Sequence, residues 1–76
     1  MDKAQWAINL LRDEIFQEVL ESIRGTEMNK ILMSNYGEVD LREEAYMRLR
    51  VLESIESHIE SMAAQKAIDE KRIKIL

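Results

Sequence analysis

The sequence predicts an all-α fold, an antiparallel helical hairpin that oligomerises into a bundle. Three observations predict it. Apolar residues recur at the helical period in two long segments, residues 3–34 and 41–70. A turn-forming stretch, residues 35–39 with Asn35 and Gly37, separates them. The apolar face of each segment is also wider than one neighbouring helix would cover. The chain of 76 residues is read as a single domain, near the size at which one core is marginal.

The first segment begins with Asp2 as a plausible cap. Ala4, Ala7, Ile8, Leu11, Ile15, Val19 and Ile23 then share one helical face, with Phe16 and Leu20 beside it and Trp6 and Leu10 on the other side. The first interruption is at residues 24–26, where Gly25 is a poor helix former and Thr26 a good cap. Two readings stand: a helix that ends at Arg24 and restarts, or one that passes through Gly25 with a kink. No proline or long polar loop intervenes, which favours the kinked or nearly continuous helix. In the turn, Asn35 and Gly37 are both suited to a left-handed helix terminator.

The second segment is the element around which the rest is organised. Asp40 is expected to cap it, with Glu43 reaching back in a capping box. Ala45, Leu49, Leu52, Ile55, Ile59, Met62 and Ala63 form its apolar stripe, extended by Val51. Arg48 and Lys66 interrupt a strict heptad, so bundle packing is predicted in place of a long zipper. Glu44 and Arg48 form a favourable pair one turn apart. Lys71, Arg72 and Lys74 suit a helix C-terminus, and Ile73, Ile75 and Leu76 are candidates to dock on a partner.

Composition narrows the function classes. The net charge of −4 argues against direct nucleic-acid binding, which needs a positive field. The chain has no cysteine, which fits a reducing compartment, and no apolar run resembling a signal peptide or a membrane span. A cytoplasmic protein without membrane partners is expected. With 46% hydrophobic residues in periodic order, the chain should fold. A small domain without disulfides gains stability by oligomerising, so the expected partner is a second copy or another protein.

No residue pattern supports catalysis. His58 is the single histidine, and with no cysteine beside it a metal site would need carboxylates or another subunit. It reads as a boundary or interface residue. The acidic pairs Asp13–Glu14, Glu43–Glu44 and Asp69–Glu70 read as solvated faces and complements to helix dipoles. Neither a phosphate-binding loop nor a nucleophile elbow is present. The expectation is a protein that is not an enzyme and takes no cofactor. The interface candidates are Trp6, Phe16, Leu20, Tyr46, Met47, Leu52, Ile55, Ile59 and Met62.

The run Ile15-Phe16-Gln17-Glu18-Val19-Leu20, the helix start Asp40-Leu41-Arg42-Glu43-Glu44-Ala45-Tyr46, and Leu49, Leu52 and Ser57-His58-Ile59-Glu60 carry a resemblance. In these the chain resembles a group of short proteins of tailed bacteriophages and prophages, mostly of unassigned function. The resemblance implies a small helical protein of virion morphogenesis or DNA packaging, in the host cytoplasm or associated with the virion. It carries over no functional residue.

Overall fold

Asp13 divides the first half of the molecule. In the computed structural model, which describes the backbone of residues 2–75 and the side chains of residues 2–68, helix α1 runs Lys3–Arg12, α2 Glu14–Leu32 and α3 Val39–Ile75. Asp13 has an extended backbone (φ −70°, ψ 121°) and serves both helices. Its N–H donates to Leu10 O at 3.1 Å, closing α1, while its carboxylate accepts from Phe16 N at 2.8 Å, opening α2. Arg12 at the end of α1 and Glu14 at the start of α2 each complement the adjacent helix dipole. Gln17 crosses the break by donating its side-chain amide to Leu11 O at 3.0 Å.

Of the two readings at residues 24–26, the helix that passes through Gly25 is the one observed, and the break lies at Asp13. Helix α2 passes through Gly25 without a break, and Thr26 does not cap a new helix. Its hydroxyl donates to Ser22 O at 2.9 Å, a bond back to the preceding turn of the same helix.

The connection also differs in detail. No described residue has a positive φ, so neither Asn35 nor Gly37 adopts the left-handed conformation expected of them. Arg42 holds the turn instead. Its guanidinium donates to Ser34 Oγ (3.0 Å), Asn35 O (2.6 Å) and Tyr36 O (3.1 Å). Glu38 adds a bond by accepting from Asn35 N at 2.7 Å. Helix α3 begins at Val39, with Arg42 N donating to Glu38 O, so Asp40 lies in the first turn and is not the cap. The expected capping box is displaced by this arrangement.

The long-range contacts run in one order. Arg42 meets Ser34, Arg48 meets Glu27, Arg24 meets Glu56, and Lys66 meets Gln5 and Asp2. Residues later in α3 thus meet residues earlier in the first half. Both α1 and α2 pack mainly on α3. The result is a rod of 60 × 22 × 17 Å, its length set by α3, whose 37 residues span about 55 Å at ~1.5 Å rise per residue. Its core is thin: Ala4, Ala7, Leu20, Ala45, Leu52 and Ile59 are the buried apolar residues among those described. Three alanines let the helices approach closely, and three large aliphatics fill the space between them.

The break at Asp13 also resets the helical phase. Ala4 and Ala7 face α3, as the first stripe requires, but its continuation in α2 does not. Ile15 is 72% exposed, and Val19 and Ile23 are also exposed. Leu20 and Glu27 point inward instead, with Phe16 half-buried.

Candidate interaction surface

The rod has two long flanks, distinguished by what they carry. On one, Arg24, Met28 and Ile31 of α2 face Tyr46, Leu49 and Arg50 of α3 across an open groove of about 400 Å³ whose floor includes Leu52. Beyond it lies a polar hollow of about 480 Å³, lined by Arg24, Glu53, Glu56, Ser57 and Glu60. Arg24 ties this flank together by bonding Glu56 across the helices and Glu21 along its own. Arg50 and Glu53 form a looser pair at 3.8 Å. These charges satisfy one another in the open, which makes the flank a solvated face; such pairs are worth little individually.

The other flank is apolar. With about 100° per residue, Phe16, Val19 and Ile23 lie on the side of α2 opposite Met28. Val51, Ile55 and Met62 lie on the side of α3 opposite Tyr46 and Glu53 by the same phase. Val19, Ile23, Val51 and Ile55 are exposed, whereas Phe16 and Met62 are half-buried. At one end this flank meets Glu27, the single buried charged residue among those described. Glu27 Oε1 lies 3.2 Å from Lys30 Nζ, and Oε2 lies 3.7 Å from Arg48 Nη1 without a hydrogen bond.

A third apolar region caps the turn end of the rod. Leu32, Met33, Tyr36 and Val39 are exposed there, Tyr36 almost completely (98%), on the loop that Arg42 fixes.

The sequence-derived interface residues divide between these places. Leu20, Leu52 and Ile59 are buried between the helices of one chain. They hold the rod together and are not available to a partner. Ile55 and Met62 join the apolar flank, with Met47 exposed at its outer edge. Tyr46 falls on the groove side, away from Met47. Trp6 is exposed on α1. Phe16 bridges the core and the apolar flank. Val19, Ile23 and Tyr36 were not among the predicted interface residues. The first two share one sequence-derived face with Ala4 and Ala7, and the signal that separates them is the Arg12-Asp13-Glu14 sequence, a basic helix end, a cap and an acidic helix start.

His58 is exposed on α3, and no group of three potential metal ligands occurs among the described residues. No described helix is long and apolar enough to cross a membrane. The docking expected of Ile73, Ile75 and Leu76 lies outside the described side chains. No known protein family matches this chain, and neither a curated protein nor a solved structure is similar to it.

The surface area shows how unlike a compact monomer the rod is. It exposes 6321 Å², about 1,400 to 1,500 Å² more than is usual for a compact protein of 9.0 kDa. Its radius of gyration is 17.3 Å, against roughly 11 Å for a compact domain of this length.

Proposed function

We propose that this chain is a non-enzymatic structural or assembly protein, an antiparallel helical hairpin that self-associates into a bundle. The observation that carries the reading is the combination of a thin core with an apolar flank left open along the rod. Monomeric proteins seldom leave large contiguous apolar patches exposed. The resemblance to short phage and prophage proteins supports a role in virion morphogenesis or DNA packaging, in the host cytoplasm or associated with the virion. The acidic balance favours a role through protein contacts over direct contact with DNA.

Light scattering after size exclusion, across a dilution series, tests the reading. A defined oligomer that persists on dilution is the expected result. A folded monomer at every concentration would refute self-association. It would favour a second reading, a small adaptor or inhibitor that presents a helix face to one host or phage protein. The groove beside Tyr46 favours that alternative, because Met28, Ile31 and Leu49 offer an apolar seat flanked by charge.

A further inference from the structure

We propose that the flank formed by Phe16, Val19, Ile23, Val51, Ile55 and Met62 takes a second copy of this chain. In the proposed dimer α2 of one protomer lies on α3 of the other, about a twofold axis parallel to the rod. The proposal rests on the assembly reading and specifies its interface.

Area supplies the first argument. The rod exposes roughly 1,400 to 1,500 Å² beyond the norm for its mass, and a standard interface buries about 800 Å² from each partner. One face of a 60 × 22 Å rod is large enough to supply that area. Covering this flank therefore accounts for a large part of the excess.

Charge chooses the face. Arg24, Arg50, Glu53, Glu56 and Glu60 all lie on the groove side, where pairing with a copy would bury them. Between Phe16 and Ile23 on α2, and between Val51 and Met62 on α3, the positions that face the open flank are apolar apart from His58 at the rim. Dry contact is available there at low desolvation cost.

Charge also chooses the direction. Lys30 lies two turns beyond Ile23 on the same side of α2, and Glu44 lies two turns before Val51 on the same side of α3. Ser34 meets Arg42 and Glu27 meets Arg48, so Lys30 and Glu44 stand at nearly the same height, on opposite edges of the flank. A twofold axis along the rod sets each Lys30 beside the partner's Glu44. The interface is isologous, and each ion pair occurs twice. The antiparallel alternative carries both charges to the end marked by Met62, where Asp2 and Lys3 line the flank together and Asp2 already faces Lys66 at 4.0 Å.

The experiment uses the full chain. Val19→Glu and Val51→Glu each place a charge on the flank at a position already half or more exposed, so the monomer should keep its helical circular dichroism. Light scattering should show the mass falling from twice the 9.0 kDa chain mass to one. A folded variant that stays dimeric overturns the interface while leaving the assembly reading intact; a monomeric unsubstituted chain overturns both. Cysteine pairing covers the case in which a charged variant unfolds, since the native chain has no cysteine. A Val19→Cys chain mixed with an Ile55→Cys chain should form a mixed disulfide dimer under mild oxidation. Homodimers of the Ile55→Cys chain as the main product would show α3 against α3 and overturn the proposed pairing.

Discussion

Replacing Glu27 with leucine should make the protein more stable. Glu27 is 6% exposed, and one of its carboxylate oxygens has no hydrogen-bond partner among the described residues. Leaving a buried acceptor unsatisfied costs about 1–3 kcal/mol. Against this stand two ion pairs, to Lys30 at 3.2 Å and to Arg48 at 3.7 Å. Lys30 and Arg48 are 37% and 48% exposed, so solvent screens both pairs and each is worth roughly 0.2–1 kcal/mol. Leucine has nearly the same helix propensity, keeps the aliphatic packing and adds about 1 kcal/mol of apolar burial. Both cations stay in reach of water, so the substitution strands no charge. The balance is a gain of about 1–2 kcal/mol, or a rise in Tm of roughly 4–8 °C for each kcal/mol. Urea unfolding of Glu27→Leu and the native chain at equal concentration, followed by circular dichroism, measures it. A loss of 1 kcal/mol or more would refute the reasoning and make the carboxylate a net stabiliser. Loss of sharp amide resonances in a more stable variant would assign Glu27 the role of fixing helix register.

Three further substitutions test the local structure. Gly25→Ala should raise stability by about 0.5–1 kcal/mol, because the helix is continuous there and an added Cβ meets nothing within 4 Å; thermal unfolding reads the gain. Asp13→Ala removes the cap at Phe16 N and should cost roughly 1 kcal/mol, with amide exchange rising first in the opening turn of α2. Arg42→Ala strips three donors from the turn and should cost about 1–3 kcal/mol. Exchange at residues 34–38 should increase while the middle of α3 keeps its protection.

The all-α class was legible because its signal is distributed over the chain. Ala45, Leu52 and Ile59 recur at helical spacing, and the structure buries all three. The sequence pointed to continuity through Gly25, but the break at Asp13 was not read, because Gly25 is a conspicuous residue and Asp13 is not. Glycine weakens a helix by about 1 kcal/mol, which packing along α3 can offset. An aspartate that closes one helix and opens the next makes two specific bonds, and its effect on phase extends to every later residue of α2. That one residue explains why Val19 and Ile23 face outward. The turn failed for a related reason. Arg42 reaches back to its carbonyls from α3, so a long side chain supplies what a left-handed glycine was expected to supply. Among the interface candidates, periodicity placed Ile55 and Met62 on one stripe with Leu52 and Ile59. It did not separate them from Leu52 and Ile59, because a wide stripe gives no indication of where one neighbour ends and another begins.

The division of that stripe links stability to assembly. Within one chain α3 buries Ala45, Leu52 and Ile59, while Val51 and Ile55, on the same broad face, remain exposed. Among the described residues the buried set holds two large side chains from α3 and one, Leu20, from α2, a slender core. Covering Val19, Ile23, Val51 and Ile55 with a second copy extends the same core sideways without changing either helix. Folding and association then draw on one hydrophobic face, and the dimer is stabilised by mass action. The expected consequence is a Tm that climbs with protein concentration in the native chain, and is independent of it in Val51→Glu. A concentration-independent Tm in both, measured above and below the dissociation range, would separate folding from association and show that the thin core suffices alone.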